Sequence, residues 1–370
     1  MLTKGDDYPL HQTPEPVAYT GANRNFYDRF FFNGYNRDGS LFFALAMGVY
    51  PYVNIMDGAF SVVVDGIQHN VYGSKIMHME RLDTQVGAVA IDILAPLWQH
   101  RLRCDDAKNG IRADLVFTAR TPAHEEPRFT RHAGTQVAMD LTRMTQNGTW
   151  SGWIEVKGKK YEIGSDQFWG TRDRSWGIRA VGAPDTQPNP YSGEQQFYWL
   201  WAPLNFDDFA AHYFLNDDGQ GRAWNSNGIL IPVIDREEEV HKPVQVMQSW
   251  RSSIQYRSGT RHAQSANIWF ESAAGEAYHL KLEPQWHFYM SGLGYTHPHF
   301  RHGTYHGELE TGYDEYVTAE VEPTDIHIQA LCEVILEGPE GQRKGQGVLE
   351  QFIMGPHKPS GFTELLDMAP

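Results

Sequence analysis

The feature that most constrains this chain is an alternation of apolar and polar residues with a period of two, interrupted by short turns that contain glycine. In the run from Ile111 to Ala119, apolar residues occupy the odd positions, and Arg112, Asp114 and Thr118 stand between them. A strand with one buried face has this period, whereas an amphipathic helix repeats its apolar residues every three or four positions. The sequence therefore predicts a protein built almost entirely of β-strands.

Short turns between such runs predict hairpins. Asp65 and Gly66 separate two strand-like arms, and glycine tolerates the positive φ that a tight hairpin turn requires. A second hairpin is predicted around residues 157–159, where a glycine again lies between two alternating runs. Helices should be few, and the segments 26–32 and 207–215 are the two helix candidates.

The length of 370 residues favours two structural units, because a single hydrophobic core rarely grows beyond about 250 to 300 residues. A proline-rich segment of low apolar content, residues 182–196, predicts the connection between them. Each half contains enough strand candidates to close a barrel of roughly eight strands. The expected boundaries are 1–185 for the first unit and 186–370 for the second.

Charge and composition exclude several classes of function. The net charge of −15 would repel a phosphate backbone, and the 31 Lys and Arg are scattered, so nucleic acid is not an expected partner. No apolar run of about 18 residues could span a bilayer, and the acidic, proline-containing amino terminus does not resemble a signal peptide. The expected location is therefore the cytoplasm. Cys104 and Cys332 lie far apart in the sequence, so both are predicted to be free and buried.

One segment stands out from the alternating background, GSDQFWGTRDRSWGIR at residues 164–179. It concentrates two tryptophans, three arginines and two aspartates at the end of a predicted strand. The segment resembles the central motif of the family that includes the bacterial carotenoid 1,2-hydratases, the AttH-like proteins and, more distantly, fungal kievitone hydratase and decalin-forming cyclases. The residues that carry the resemblance are Gly170, Arg172, Asp173, Ser175, Trp176, Gly177 and Arg179.

The resemblance implies a fold and a class of substrate. The fold is all-β, with two lipocalin-like (calycin) antiparallel β-barrel domains in tandem, the first of which ends in the motif. The substrate is a lipophilic, isoprenoid-like or polyketide-like small molecule, and the activity is that of a hydro-lyase or isomerase. A second stretch rich in glycine and aromatic residues, 291–316, resembles the second domain of the same family. Members differ in reaction, so the chemistry depends on the site residues.

Four residues are candidates for acid–base catalysis: Asp166, Asp173, His297 and His302. A carboxyl group in an apolar pocket has a raised pKa and can protonate an alkene carbon. An arginine beside the carboxyl group lowers its pKa instead. Asp166 is therefore the better acid if Asp173 is tightly paired with a neighbouring arginine.

Arg172 and Arg174 are interpreted as structural residues. A planar guanidinium binds a carboxylate bidentately, so we expect a desolvated Arg172–Asp173 pair where the two domains meet. Replacing Asp173 by Asn should then destabilise the protein, because the arginine would keep its charge and lose its partner. If Asp173 is the acid, the same replacement should lower turnover and leave stability nearly intact.

Aromatic residues supply the candidate substrate wall. Phe, Trp and Tyr make up 13% of the chain, which suits a sheet protein with apolar cavities. Indole faces also stabilise cationic carbon through the ring quadrupole. The alternative role for these residues is packing in a barrel core. The candidates are Trp169, Trp176, Trp199, Trp201 and Tyr295.

No metal and no cofactor is expected. The histidines between residues 287 and 306 suggest zinc, but their spacing matches no familiar zinc signature. The sequence has neither a glycine-rich phosphate loop nor a nicotinamide fingerprint. The expected function is a cofactor-independent hydration, dehydration or isomerisation of an alkene by acid–base catalysis. A cyclase that shapes a polyene and a non-catalytic carrier of a lipophilic ligand are the alternatives.

Overall fold

A computed structural model describes residues 14–184, 187 and 195–370 of the chain. Strands account for about 60% of the structure and helices for 4%, which confirms the all-β fold. The helices of the described ranges are four single turns of 3₁₀ type: Glu237–Glu239, Met290–Leu293, Thr318–Glu320 and Lys358–Ser360. None of the helices in these ranges is long and apolar enough to cross a membrane.

The first half of the chain forms one antiparallel sheet. Its strands are β1 (Phe26–Asn36), β2 (Leu41–Tyr50), β3 (Ile55–Val64), β4 (Ile67–Ile76), β5 (Gln85–Val86), β6 (Val89–Ala95), β7 (Gln99–Asp106), β8 (Ile111–Ala119), β9 (His124–Glu125), β10 (Phe129–Ala133), β11 (Gln136–Val156), β12 (Lys159–Ile163) and β13 (Phe168–Ile178). The hydrogen-bonded order is β4-β3-β2-β1-β13-β11-β8-β7-β6-β5. β9, β10 and β12 pair with the long strand β11. The sheet curls until β3 and β4 contact β5 and β6.

The second half supplies a second antiparallel sheet and one strand of the first. The strands are β14 (Phe197–Phe206), β15 (Phe209–Asp217), β16 (Ala223–Pro232), β17 (Gln245–Val246), β18 (Ser249–Tyr256), β19 (Ala263–Glu271), β20 (Ala277–Tyr289), β21 (Leu309–Val317), β22 (His327–Gly338) and β23 (Gly341–Met354). The order in the second sheet is β17-β16-β15-β14-β23-β22-β20-β19-β18. β21 is not part of this sheet and pairs instead with β4 at the edge of the first. The tandem lipocalin-like fold is thus confirmed as two antiparallel sheets, and β21 is a crossover strand that the second half of the chain contributes to the first sheet.

The predicted hairpins form where the turn chemistry indicated. Asp65 and Gly66, with φ of 52° and 77°, connect β3 to β4, and Lys157 and Gly158, with φ of 50° and 85°, connect β11 to β12. These are the positive dihedrals that a tight two-residue hairpin needs. The alternating run of residues 111–119 is β8, with its odd positions buried. Cys104 and Cys332 are free and buried, as predicted.

The two predicted helices are wrong. Residues 26–32 lie in β1, and residues 207–215 fall mainly in β15. Nearly every position of both strands is buried, because one face covers the core of its own sheet and the other faces the opposite sheet. A strand that is apolar on both faces shows no alternation, so its period cannot be read from the sequence.

The described residues form three large apolar clusters and a fourth, small one in β15 and β16. One lies inside the first sheet and another inside the second. The third lies between the sheets, where their outer faces meet. β14 contributes to two of them, because Tyr198 and Leu200 point into the second sheet while Trp199 and Trp201 point toward the first. The predicted boundary at residues 185 and 186 lies outside the described residues, so the domain division stays a prediction.

Candidate functional site

An inner cavity of about 220 Å³ lies between the two sheets, outside both curled cores. Strands β1, β11 and β13 wall it on one side, and β14, β22 and β23 on the other. Aromatic rings form most of the wall, with a small set of charged groups among them. The lining residues are Tyr27, Phe31, Phe129, Met139, Leu141, Arg143, Asp173, Ser175, Arg179, Phe197, Trp199, Met290, Tyr295, His327, Glu350 and Phe352.

Asp173 presents its carboxyl group to this cavity from β13. No described residue donates a hydrogen bond to it or forms an ion pair with it. Burial raises the pKa of Asp173 to about 7; the charge of Arg143 opposes this shift, and the charges of Glu126 and Glu350 add to it. A carboxylic acid that is partly protonated near neutral pH can both donate and accept a proton.

Glu350 and His327 form a hydrogen-bonded pair on the opposite wall. His327 donates from Nε2 to Glu350 Oε1 over 2.9 Å, which leaves Nδ1 as the basic nitrogen. That nitrogen is buried and has no hydrogen-bond partner among the described residues. Although burial raises the pKa of Glu350, hydrogen bonds from His327 and Gln329 outweigh it, and the net shift is downward. The ionised Glu350 therefore orients the imidazole ring of His327.

A buried ion pair supports the floor of the cavity. Arg143 donates two hydrogen bonds to Glu126 Oε2. One comes from Nε over 2.7 Å, and the other comes from a terminal nitrogen. The other oxygen of Glu126 accepts from Trp201 Nε1 at 3.1 Å and from Thr145 at 2.7 Å. Burial lowers the pKa of Arg143, but the charges of Glu126 and Asp173 outweigh this effect, and the net shift is upward. The guanidinium also lies 4.5 Å from the ring centroid of Trp199.

Arg179 brings a second positive charge to the lining. It lies 4.4 Å from the ring centroid of Tyr27, and no carboxylate of the described residues lies within ion-pair distance of it. Its terminal nitrogen donates to His302 Nδ1 at 3.4 Å, while His302 Nε2 donates to the carbonyl of Leu293 at 3.0 Å. Burial and the charges of Arg29 and Arg179 hold the pKa of His302 well below its usual range. His302 is therefore neutral and serves to position Arg179.

A larger outer cavity of about 750 Å³ adjoins the inner one and shares His327 and Phe352 with it. The ring of His327 stacks on that of Phe352 with centroids 4.8 Å apart, so the two rings form a common wall. Acidic side chains line the outer cavity, and none of its lining residues is a lysine or arginine. The acidic residues are Asp314, Glu320, Glu322 and Asp325.

Two predicted catalytic residues lie away from the inner cavity. Asp166 is exposed in the turn between β12 and β13 and does not line it. His297 donates from Nε2 to Asp314 at 3.2 Å and accepts two backbone N–H groups at Nδ1, at 3.1 and 2.8 Å. Both ring nitrogens of His297 are thus engaged in hydrogen bonds that stabilise this loop. Of the four candidates, Asp173 lines the inner cavity and His302 lies directly behind it.

The residues predicted to form the aromatic wall lie in four different places. Trp199 and Tyr295 line the inner cavity, and Trp201 lies one layer deeper, bonded to Glu126. Trp169 is buried at another part of the interface, with the guanidinium groups of Arg37 and Arg120 at 3.9 and 4.9 Å from its ring centroid. Trp176 is exposed and does not line the cavity.

The expected Arg172–Asp173 pair does not form. Side chains of consecutive strand residues point to opposite faces, and Arg172 points into the core of the first sheet, where it donates to Gln146 at 2.8 Å. Arg174 lies on the same face as Arg172 and pairs with Asp28 at 2.5 Å. Asp173 is therefore left without the counter-charge that the sequence suggested.

The sequence interpretation missed His327, Glu350 and Arg143. Glu350 could have been recognised from the sequence, because it is the one charged residue among residues 348–353, and the others are apolar or carry an amide side chain. His327 similarly stands between two isoleucines at the start of β22. Charged or titratable groups inside a strand with both faces buried must have partners or a function.

Several solved structures share this fold. An AttH-type protein from Nitrosomonas europaea is 11% identical, with a TM-score of 0.52, and the match covers 93% of this chain and 98% of that one. CghA with Sch210972 is 13% identical, with a TM-score of 0.52, and the match covers 89% of each chain. Kievitone hydratase from Nectria haematococca is 11% identical over 88% of each chain, and its TM-score of 0.43 carries no argument here. At these identities the first two confirm the AttH-like fold alone.

In sequence, the chain matches no curated protein. One family model does match, and it spans nearly the whole chain, from residue 2 to residue 363. The protein is therefore a member of the family of unknown function DUF8625.

Proposed function

We propose that the protein is a cofactor-independent enzyme that hydrates, dehydrates or isomerises an activated carbon–carbon double bond in a lipophilic small molecule. The observation that carries this proposal is a pair of residues that line the aromatic inner cavity from opposite walls: Asp173, whose carboxyl group accepts no hydrogen bond from a described residue, and His327, whose Nδ1 is buried without a hydrogen-bond partner among the described residues. Addition of water to a double bond needs one group that gives a proton and one that takes a proton.

Asp173 is the proposed acid. Its raised pKa keeps a substantial fraction of the carboxyl group protonated near neutral pH. In hydration, the proton moves from Asp173 to the substrate carbon. In dehydration, the carboxylate removes the same proton.

His327 is the proposed base. Its Nδ1 takes a proton from the attacking water, whose oxygen forms the new carbon–oxygen bond, and Glu350 stabilises the imidazolium that results. One proton enters the substrate from Asp173 and one leaves the water to His327, and solvent restores both groups. For isomerisation, the two residues move a proton from one carbon to another without water.

The charges in the cavity favour a particular substrate. A cationic carbon, which indole faces were expected to stabilise, would lie near the guanidinium groups of Arg143 and Arg179. The negative charge of an enolate would be stabilised there, because a fixed positive charge in a desolvated site acts strongly on developing negative charge. We therefore propose a double bond conjugated to a carbonyl group, as in a polyketide-like molecule, with Arg179 facing the carbonyl oxygen.

The size of the site also bears on the substrate. The inner cavity, at about 220 Å³, is smaller than most ligand pockets, which span about 300 to 1,000 Å³. A substrate of that class would extend past His327 and Phe352 into the outer cavity. Its reacting end would be apolar and conjugated, and its outer end would be free of negative charge because acidic residues line that space. A cytoplasmic location and independence from any cofactor remain part of the proposal.

The test starts with natively purified protein. Lipophilic compounds released from it are identified by mass spectrometry and then incubated with the protein in ¹⁸O-labelled water. Gain of one labelled water supports hydration, and deuterium uptake from heavy water at carbon without oxygen supports isomerisation. A new ring with neither label would identify a cyclase, and binding without any turnover would identify a carrier; both outcomes contradict the proposal.

A further inference from the structure

We propose that His299, His306 and Glu310 form a zinc site that fastens the loop before β21 to the start of that strand. The site is separate from both cavities, because none of the three residues lines either of them. It does not depend on the proposed catalytic function.

The three side chains converge although they are spread over twelve positions of sequence. His299 and His306 lie in the loop between the 3₁₀ turn Met290–Leu293 and β21, and Glu310 is the second residue of β21. Their potential ligand atoms all lie within 4.8 Å of one another. His299 Nε2 is 2.8 Å from Glu310 Oε1, and His306 Nδ1 is 3.4 Å from Glu310 Oε2.

The hydrogen bonds of His306 prepare it to bind a cation. Its Nε2 donates to the backbone carbonyl of His299 at 3.1 Å, so Nδ1 is the nitrogen that can offer a lone pair. That lone pair faces a carboxylate oxygen, and two acceptors at this distance repel each other unless a proton or a metal ion lies between them. Histidine ligands of metals commonly donate their other N–H to a backbone carbonyl, which fixes the tautomer in this way.

The chemistry of the donors favours zinc. Two imidazole nitrogens and one carboxylate oxygen form a recognised Zn²⁺ ligand set, whose fourth tetrahedral position is taken by water. A hard cation such as Ca²⁺ prefers six to eight oxygen ligands, which this group does not offer. The pattern was invisible to spacing rules, because the third ligand comes from the crossover strand and not from the histidine-rich loop.

Zinc at this site would stiffen the connection that supports the inner cavity. The same loop carries Tyr295, which lines the inner cavity, and His302, which accepts from Arg179. Its far end continues into β21, which pairs with β4 of the first sheet. Joining residues 299 and 306 to residue 310 would thus brace this loop against the first sheet.

The test is a calorimetric titration of the untagged full-length chain with Zn²⁺ after treatment with EDTA. We expect one Zn²⁺ per chain and a rise in the melting temperature on binding. Co²⁺ bound in its place should show the intense visible absorption of a tetrahedral complex. His306→Ala and Glu310→Gln should each weaken Zn²⁺ binding by at least about tenfold.

His78→Ala is the matched control, because His78 forms an exposed ion pair with Glu308 two residues before Glu310. This variant should bind Zn²⁺ like the parent. The proposal is overturned if the chain binds no Zn²⁺, if binding survives in His306→Ala and Glu310→Gln, or if His78→Ala loses it equally. All three substitutions alter exposed or half-buried side chains, and far-ultraviolet circular dichroism verifies that each variant is folded.

Discussion

Arg172 and Asp173 are neighbours in sequence, yet their side chains occupy opposite faces of β13. Arg172 is enclosed in the core of the first sheet, and Asp173 faces the cavity between the sheets. The alternation of the strand thus separates the two charges that the motif places side by side. Asp173 therefore lacks the structural partner that the sequence suggested, which supports the acid role proposed for it.

The first prediction concerns the stability of Asp173→Asn. Because the pKa of Asp173 is raised in the folded state, the carboxyl group stabilises the fold at low pH, and this contribution is lost as pH rises from about 4 through about 7. The variant should therefore be more stable than the parent at about pH 9, by up to about 4 kcal/mol, and equal to it below about pH 4. Urea denaturation at both pH values measures this. A variant less stable than the parent at high pH would restore the structural interpretation.

The second prediction concerns activity and pH. If Asp173 is the acid, kcat/KM for hydration should fall about tenfold per pH unit above about pH 7, because the free enzyme must be protonated. Asp173→Asn should lower kcat by about 10² to 10⁴ and abolish this alkaline decline. A pH profile of parent and variant with the identified substrate is the measurement. An alkaline decline that persists in the variant would assign it to another group.

The third prediction concerns His327. Glutamine at this position can still donate to Glu350 but has no basic nitrogen, so His327→Gln should lower kcat by about 10² to 10⁴ with little change in KM. Asp166→Asn is the control, because Asp166 is exposed and away from the cavity, and it should retain the activity of the parent. Steady-state kinetics of both variants measure kcat and KM. Unchanged kcat in His327→Gln would exclude it as the base.

The fourth prediction concerns the buried ion pair below the cavity. Glu126→Ala leaves the charge of Arg143 buried without its partner, so the free energy of unfolding should fall by about 3 to 5 kcal/mol. Glu125→Ala removes the exposed neighbouring carboxylate and should change it by less than about 0.5 kcal/mol. Urea denaturation at neutral pH compares the two. Equal effects would show that the pair contributes no special stability.

The fifth prediction concerns the separate halves of the chain. Residues 1–185 expressed alone lack β21, so β4 becomes an open edge, and the apolar face that meets the second sheet is exposed. We expect this fragment to aggregate, since unpaired edges and large apolar patches promote association. Co-expression with residues 186–370 should restore a soluble complex. A monomeric, folded fragment would establish an independent first domain.

The sequence predicted the fold best where a strand has one buried face. β8 and the hairpin turns at Asp65-Gly66 and Lys157-Gly158 show local signals that need no tertiary information. β1 and β15 were misassigned because burial on both faces removes the alternation. The pairing of β21 with β4 joins residues more than two hundred positions apart and leaves no local pattern.

Only part of the site could be predicted, because a local sequence pattern does not reveal contacts between distant strands. Asp173 belongs to a conspicuous motif, and Trp199 and Tyr295 to aromatic stretches, so composition drew attention to them. His327 and Glu350 lie on two different strands, and only the hydrogen bond between them in the folded structure brings them together. Asp166 stood beside Asp173 in sequence, but a turn carries its side chain to solvent.

The two-faced strand β14 affects how such a protein can diverge. Its even-numbered side chains, such as Tyr198 and Leu200, belong to the interior of the second sheet, and Trp199 borders the inner cavity. Replacing Trp199 by a smaller or differently shaped residue would change the shape of the inner cavity, while the interior of the second sheet would keep its packing. Natural selection can therefore change the shape of the cavity one side chain at a time on a scaffold that stays the same. An inserted residue, by contrast, would exchange the two sets of side chains at once.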